Sequence, residues 1–253
     1  GTALGPYSPG SAYVLLHHYM GEVDGTVGAW GYSRGGMGSI TQAMSKSLQS
    51  KGGKVKAGSS VTKILIKNNR SYGLVLENGD EIYANKIVSN LDVKRTFLKV
   101  VEQNQLPEDF YLAVKNFKIR GSSGKLNIAL DDLPSWKSIP IGDPAGTGDL
   151  HITQSIEEME RAYDDWKDGK WSTNPYVDMC VPSINDPTIA PQGKHYMSVF
   201  IQYVPYNLAD GGWTEEKRKE FGNHVMNRIG NYSNNFNDII KHAEIRTPKE
   251  LET

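Results

Sequence analysis

The segment from Trp30 to Asn90 constrains the fold most, because it orders several local patterns along the chain. A glycine-rich turn opens it, an amphipathic helix follows, and short apolar strands come next. Asn78-Gly79 between two of these strands is a strong signal for a type I′ hairpin, since both turn positions need a positive φ. The segment therefore predicts a turn, a helix, a β-meander and a returning strand, in the order GYSRGGMGSITQAMSKSLQSKGGKVKAGSSVTKILIKNNRSYGLVLENGDEIYANKIVSN.

Two helices are predicted in the first 51 residues. Ser8 and Pro9 suit an N-cap and a first helical position, so one helix is predicted to begin there. The other runs from about Met37 to Lys51, and Gly52-Gly53 ends it. Apolar residues recur at helical spacing along this second helix, and they predict a buried stripe. The stripe consists of Met37, Ile40, Thr41, Met44 and Leu48.

Strands are predicted in both halves of the chain. The first half contains Lys54–Ala57, Val61–Lys67, Tyr72–Glu77, Glu81–Ala84 and Lys86–Ser89. The second half contains Lys125–Leu130, Leu150–Thr153, Tyr176–Pro182 and His195–Tyr203, which are predicted to form one sheet. The last of these has large apolar residues on both faces, so we expect both faces to be covered.

Helix-capping signals predict four further helices. Asp92 caps one that reaches about Val101, and Pro107 opens another that reaches Phe117. Ser155 begins a capping box with Glu158. Thr214 caps a last long helix, whose predicted inward residues are Phe221, Val225 and Ile229.

Composition excludes several functional classes. The 253 residues can build one large or two small domains. A net charge of −1, with scattered basic residues, gives no reason to expect a nucleic-acid partner. No apolar run reaches the roughly 18 residues that a transmembrane helix needs. The sequence has no signal-peptide pattern and starts at Gly1 without an initiator methionine, so we expect a trimmed or processed chain.

Metal and disulfide chemistry are not predicted. Cys180 is the single cysteine, which excludes an intrachain disulfide and a thiolate metal cage. His17 and His18 are adjacent, so on a helix they point about 100° apart and cannot bind one metal together. The other four histidines show no ligand spacing either, and the expected number of metal sites is zero.

Ser33 lies in a G-x-S-x-G pattern, Gly31-Tyr-Ser-Arg-Gly35, which is typical of the nucleophile elbow of serine hydrolases. Such an elbow follows an apolar parallel strand, whereas Asp24–Ala29 is polar and glycine-rich. A β-meander, rather than repeated βα units, comes after it. A serine hydrolase that uses Ser33 is therefore kept as a minor alternative.

Gly35 and Gly36 precede a helix, and this suggests a place where a ligand approaches the backbone. The missing side chains leave space, and free N–H groups with the helix dipole favour an anion or a carbonyl oxygen. An ordinary loop-to-helix turn has the same residues. The sequence by itself leaves both interpretations open.

Several longer segments identify a resemblance that covers essentially the whole chain. They are SPGSAYVLLHHYMGE, GAWGYSRGGMGSITQAM, IVSNLDVKRTFLKVV, LPEDF, GKLNIALDDLP, INDPTIAPQGKHYMSVFIQYVPYNL and RTPKELE. Together they resemble the phytoene-desaturase-like FAD-dependent oxidoreductases, in particular the pyridine nucleotide-disulfide oxidoreductase domain-containing protein 2 group.

This resemblance implies the fold class, which is α/β combined with α+β. Residues 1–120 would form the central part of an FAD-binding domain of the two-dinucleotide type, with a helical insert. Residues 121–253 would form a substrate domain, an antiparallel sheet with covering helices. Relatives carry a G-x-G-x-x-G βαβ unit before this region and a second FAD-contacting segment after it. We therefore expect an incomplete FAD-binding domain, a central fragment that binds FAD weakly or not at all.

The resemblance also implies roles for individual residues. Gly35 and Gly36 match paired glycines near the flavin, and Val61 matches a strand residue whose backbone meets the adenine. Ser89-Asn90 matches the strand end that returns to the cofactor. Met37 and Ser39 match positions that line the substrate cavity in amine-oxidase-type relatives. Catalytic residues stay unassigned, because the flavin carries the hydride chemistry.

The functional expectation is an FAD-dependent oxidoreductase, of the dehydrogenase, desaturase or amine-oxidase kind, that acts on an apolar small molecule. The alternative is a non-catalytic interaction or regulatory protein that keeps the flavoprotein fold. Apolar surface around Ile64, Val75 and Val88 is expected to be exposed and to favour self-association. An intracellular location is expected, cytoplasmic, or mitochondrial in a eukaryote.

Overall fold

A computed structural model of the chain describes residues 3–119, 121–140 and 142–252, without the side chain of His18. The chain divides into two compact units. The larger unit comprises Gly1–Ala43 and Arg120–Thr253, and the smaller comprises Met44–Ile119. The sequence-based division placed its boundary at residue 120, which lies outside the described residues, and grouped the first 43 residues with the smaller unit.

Strands in the described residues are numbered β1 to β10 in chain order. They are β1 Glu22–Val23, β2 Thr26–Val27, β3 Val61–Lys67, β4 Arg70–Leu76, β5 Glu81–Tyr83, β6 Ser123–Leu130, β7 Leu150–Ile152, β8 Tyr176–Cys180, β9 His195–Gln202 and β10 Ile240–Arg246. Helices are numbered in the same way. They are α1 Ala12–Tyr19, α2 Gly38–Ser50, α3 Glu108–Asn116, α4 Ile156–Lys167, α5 Glu215–Gly230 and α6 Phe236–Ile239. A π-helix covers Arg95–Val100, after the predicted cap at Asp92.

The larger unit is built on a five-stranded antiparallel sheet with the strand order β10-β6-β9-β8-β7. Four of its strands were predicted, with bounds that differ by two residues or fewer. The fifth, β10, was not predicted. It pairs with β6 along Ile240–Arg246 and forms one edge of the sheet.

One face of this sheet carries the core of the larger unit. Met197, Val199 and Ile201 of β9 are fully buried, and they belong to one apolar cluster with residues of α5 and α6. The inward residues predicted for α5 are confirmed, since Phe221, Val225 and Ile229 are all fully buried. Gly222 allows α5 to lie close to β10. A Cβ atom added at this position would be only 3.2 Å from the side chain of Ile245.

The opposite face of the sheet is half-buried. Tyr196, Ser198, Phe200 and Gln202 alternate with the buried residues of β9 and keep part of their surface in solvent. The expectation that both faces are covered therefore holds only in part for the described residues, because this face is not fully buried. This surface is called the open face below.

A three-stranded meander, in the order β3-β4-β5, forms the sheet of the smaller unit. Its positive-φ turn lies at Asn68-Asn69, with φ values of 52° and 58°, between β3 and β4. At the predicted hairpin Gly79 has a φ of 87° but Asn78 does not have a positive φ, so the type I′ prediction is wrong there. The N–H of Gly79 instead donates to the carbonyl oxygen of Leu76 at 2.9 Å.

Two predicted strands are not strands. Lys54–Ala57 and Lys86–Ser89 form no ladder with a neighbouring strand among the described residues. A strand needs such a neighbour for its backbone hydrogen bonds, and local residue preference does not supply one.

The two N-terminal helices differ from their predictions mainly in burial. α1 starts at Ala12 rather than near Pro9, after Gly10 adopts a φ of 84°. α2 ends as predicted, since Gly52 has a φ of 81° and the N–H of Gly53 donates to the carbonyl oxygen of Leu48 at 3.0 Å. The predicted buried stripe of α2 is wrong in this chain, because no residue of α2 is buried and Met44 is 67% exposed.

No helix of the described residues is long and apolar enough to cross a bilayer.

Candidate functional site

The glycine-rich loop before α2 is held by a distant carboxylate of the same unit. Gly35 and Gly36 both have a φ of 83°, a conformation that glycine adopts without steric cost. The side chain of Asp186 is buried, and its Oδ2 accepts a hydrogen bond from the N–H of Gly35 at 2.5 Å. The two residues that the sequence singled out therefore form a left-handed turn fixed by Asp186.

Asp186 is held in its charged form by several donors. The Thr188 hydroxyl donates to Oδ1 at 2.5 Å, and the Thr188 N–H does so at 3.1 Å. The hydrogen bond from the Thr188 hydroxyl lowers the pKa of Asp186 most. The backbone N–H groups of Gly35, Thr188 and Gly36 lower this pKa further. The N–H of Gly35 is thus already occupied by a charged acceptor, so this donor does not point freely toward a ligand.

Ser33 and Ser39 lie on the two sides of this turn. Their hydroxyl oxygens are 2.5 Å apart, and the Ser39 hydroxyl donates to the carbonyl oxygen of Gly36 at 2.7 Å. No histidine hydrogen-bonds Ser33 among the described contacts, and the strand before the loop, β2, is a two-residue antiparallel strand. The nucleophile-elbow hypothesis for Ser33 is contradicted, because an elbow needs a parallel strand and a base beside the serine.

Tyr32 connects the same loop to the open face. Its hydroxyl donates to Asp149 Oδ1 at 3.2 Å, and Cys180 on β8 is one of the neighbouring groups that raise the pKa of Tyr32. The pKa of the Tyr32 phenol is raised mainly by partial burial. Partial burial also raises the pKa of the Cys180 thiol. The loop that contains Gly35 to Ser39 therefore starts from the edge of the open face, within one compact unit.

The open face carries a row of charged and aromatic residues across all five strands. Register pairs Lys125 with Phe200, and Phe200 with Asp178. From one edge strand to the other the row reads Arg246, Lys125, Phe200, Asp178 and His151.

Lys125 is the half-buried amine of this row. Its Nζ donates to the hydroxyl of Ser198 on the neighbouring strand. Burial lowers the pKa of Lys125, against the weaker opposite influence of Cys180 and Asp178. No carboxylate of the described residues lies within 4.0 Å of this amine, so its hydrogen-bond partner there is neutral.

A second polar group occupies the β7 end of the row. The Tyr176 hydroxyl lies 2.5 Å from His151 Nδ1, and the same nitrogen is 3.6 Å from Asp178 Oδ2. Burial raises the pKa of Tyr176, so the phenol is held in its protonated form. The open face therefore has an amine at its centre and a Tyr-His-Asp group at its side.

The smaller unit has its own groove of about 730 Å³. Val61, Ser89 and Asn90 all line it, so three predicted cofactor residues come together there. Its apolar walls include Ile64, Leu74, Ile87 and Val88, and its hydroxyl groups include Ser59, Ser60 and Thr62.

Two basic residues of the π-helix also line this groove. Arg95 Nε lies 3.5 Å from Asp92 Oδ2, whereas Lys99 has no ion-pair partner among the described residues. The hydroxyl groups of Ser89 and Thr96 lie 2.8 Å apart, and this contact joins the predicted cofactor segment to the π-helix. The groove thus combines apolar walls, neutral donors and positive charge.

The predicted site residues fall into two groups by unit. Gly35, Gly36, Met37 and Ser39 belong to the larger unit, and Val61, Ser89 and Asn90 belong to the smaller. Sequence reasoning missed Asp186, Tyr32 and Lys125. Asp186 lies in the quoted INDPTIAP segment and Lys125 in GKLNIALDD, so both residues stood inside recognised segments without a chemical signal of their own. Among the described residues, no cluster of histidine, cysteine or carboxylate side chains could hold a metal ion.

Several solved structures share the fold of this chain. An oxidoreductase from Methanosarcina mazei matches with a TM-score of 0.52 at 20% identity, over 85% of this chain and 43% of that one. Reduced UDP-galactopyranose mutase matches with a TM-score of 0.53 at 14% identity, over 85% of this chain and 41% of that one. At such identities these likenesses concern the fold alone.

Sequence comparison gives more specific relatives. The chain is 35% identical to mouse pyridine nucleotide-disulfide oxidoreductase domain-containing protein 2, over 100% of this chain and 45% of the relative. It is 29% identical to prolycopene isomerase 1 of an Oncidium hybrid and 24% identical to the zeta-carotene-forming phytoene desaturase of Myxococcus xanthus. These matches cover 93% and 85% of this chain, and 38% of each relative.

The resemblance to phytoene-desaturase-like oxidoreductases is thereby confirmed. No family model matches the chain. The chain spans less than half the length of the curated relatives it matches.

Proposed function

We propose that the chain is the central portion of a flavin-dependent oxidoreductase that acts on an apolar substrate at C–C or C–N bonds. The observation that carries this proposal is the groove of the smaller unit. Residues 61 and 89–90, which the resemblance assigns to the cofactor, are far apart in sequence yet line one cavity.

The lining of the groove suits the adenosine end of FAD. Its volume lies within the usual range for small-molecule sites, about 300 to 1,000 Å³. The backbone of Val61 and the side chains of Ser89 and Asn90 offer donors and acceptors between apolar walls. Lys99 and Arg95 add positive charge that would favour the phosphates. When bound, the flavin would accept a hydride equivalent from the substrate.

The open face and the adjoining loop would form the substrate side within the larger unit. Phe200 and Tyr196 supply aromatic surface, and Gly36 leaves the backbone accessible, since an added Cβ would meet no atom closer than 3.9 Å. Met37 follows this turn and is 67% exposed, which supports the proposal that it lines the substrate side. Because Asp186 uses the N–H of Gly35, the proposed role of the paired glycines is close approach and not hydrogen bonding to the ligand.

Flavin titration tests the proposal. We expect the 253-residue chain to bind FAD weakly, because a few hydrogen bonds of about 1 kcal/mol each fall well below the roughly 8 kcal/mol of micromolar affinity. The complete open reading frame that encodes the chain should purify with flavin absorbance. Asn90→Ala should reduce flavin retention there, whereas Asn104→Ala, at an exposed position of the same unit outside the groove, serves as the matched control.

Two results would overturn parts of this proposal. Stoichiometric FAD on the chain itself would show that the cofactor is held elsewhere than proposed. A complete protein that retains flavin but is never reduced anaerobically by amine or polyene donors would favour the non-catalytic alternative.

An intracellular location is also proposed, because the single Cys180 forms no disulfide that would need an oxidising compartment.

A further inference from the structure

We propose that the substrate of the open face is an apolar chain that ends in a carboxylate, and that Lys125 binds this carboxylate. The inference rests on the proposed function, because it specifies the substrate class of the same site. It differs from a pure hydrocarbon substrate, for which an apolar floor would be sufficient.

The surroundings of Lys125 carry the argument. Lys125 is half-buried at the centre of the sheet, burial lowers the pKa of its amine, and the amine donates to the neutral Ser198 hydroxyl. Asn127 lies two residues further along β6, and its Oδ1 accepts a hydrogen bond from the Tyr196 hydroxyl at 2.7 Å. A partly desolvated ammonium with neutral partners is unfavourable, and an anion beside it would restore the lost solvation.

Other charges on the open face already have partners within the chain. Arg246, next to Lys125 in the row, forms an ion pair of 2.8 Å with Glu244. Asp178 Oδ2, on the far side of Phe200, lies 3.6 Å from His151 Nδ1. Asp149 Oδ1 accepts a hydrogen bond from the Tyr32 hydroxyl. Lys125 is the cation of this row without a carboxylate within 4.0 Å among the described residues.

The charge balance favours a carboxylate over a phosphate. One amine with hydroxyl and amide neighbours suits a single negative charge. A phosphate dianion would need further cations, and Asp178 would repel its two charges about twice as strongly as the single charge of a carboxylate. The acid therefore has one charge and few oxygen atoms.

The rest of the ligand is apolar because of what surrounds the amine. Phe200 lies directly across from Lys125 on β9, and Tyr196 projects from the same face of that strand. An extended apolar chain could lie along these rings while its carboxylate reaches Lys125.

Binding of a fluorescent polyene fatty acid, cis-parinaric acid, and of its methyl ester tests the proposal on the chain without flavin. The acid should bind more tightly than the ester to the wild-type chain. Lys125→Met should weaken acid binding about tenfold, which corresponds to ~1.4 kcal/mol, and leave ester binding unchanged. Lys125→Arg should retain most of the preference, and Lys170→Met, at an exposed position, should change neither ligand.

Equal affinities for acid and ester in the wild-type chain would overturn the inference, as would no binding of either. An unchanged preference in Lys125→Met would do the same. Circular dichroism and thermal unfolding of each variant separate a folding defect from a binding defect. Since the assay needs no flavin, failure of FAD binding in the complete protein would count against the proposed function and not against the carboxylate site.

Discussion

Asp186 accepts a hydrogen bond of 2.5 Å from the backbone N–H of Gly35, a residue 151 positions earlier in the sequence. The carboxylate is buried and also accepts from Thr188. The conformation of the glycine-rich loop is therefore set by a side chain on a different segment and not by the loop alone.

Asp186→Asn should lower the thermal stability at neutral pH, because an amide is a weaker acceptor than a carboxylate. The pKa of Asp186 is lower in the folded state than in the unfolded state. Its contribution is therefore complete above its ordinary pKa and is lost as the pH falls through the folded-state value. Melting temperatures of both proteins should differ most near neutral pH and converge as the pH falls below the ordinary pKa of an aspartate. Asp143→Asn, at an exposed cap that also accepts a backbone N–H, is the control.

Gly36→Ala should destabilise the chain by about 1–2 kcal/mol, because alanine at a φ of 83° is strained. Gly38→Ala is the matched control, since Gly38 begins α2 and an added Cβ there meets nothing within 4 Å. It should be neutral, or stabilising by up to about 1 kcal/mol. Urea unfolding measures both. Equal effects of the two substitutions would contradict the strained-turn interpretation.

Ile229→Ala in α5 should cost about 2–5 kcal/mol, because Ile229 is fully buried in the core against the sheet. Ile156→Ala in α4 removes the same atoms from a residue that is 58% exposed. It should change the free energy of unfolding by no more than about 0.5 kcal/mol. Chemical denaturation followed by circular dichroism gives both values, and similar losses would place the core elsewhere.

We expect the chain to self-associate through its exposed apolar surface, and Val88→Asp should weaken that association about tenfold, which is ~1.4 kcal/mol. Val88 lies on the wall of the groove and is 92% exposed, whereas Ile64 on the same wall is half-buried. A charge at position 88 would therefore have to lose water when a second chain covers this apolar surface. Sedimentation velocity over a concentration series measures the effect. Asn69→Asp adds the same charge in an exposed turn and should leave association unchanged. A chain that stays monomeric at all concentrations would remove the basis for this prediction.

Local signals predicted those parts of the fold in which a short segment determines its own conformation. The Gly52-Gly53 helix end, the Ser155 and Thr214 caps and the alternation in β9 are of this kind. The two cap predictions are correct because each cap is a local contact, in which a side-chain oxygen accepts from a backbone N–H only three residues away.

The failures concern properties that depend on distant residues. Lys86–Ser89 has strand-like residues but pairs with no strand in the described part of the chain, and the apolar stripe of α2 is exposed. Asp186 and Lys125 gain their significance from residues on other segments, so no local pattern marks them. Val61 and Asn90, which the resemblance assigns to the cofactor, line the same groove, and no spacing pattern in the sequence predicts that they lie together.

The order of the five-stranded sheet determines how the chain avoids unwanted pairing. Its two borders are β7, which has only three residues, and β10, which carries Lys241, His242, Glu244 and Arg246. A short border offers few backbone groups to a foreign strand, and a charged border makes desolvation costly. The strand order thus protects the sheet against edge-to-edge aggregation.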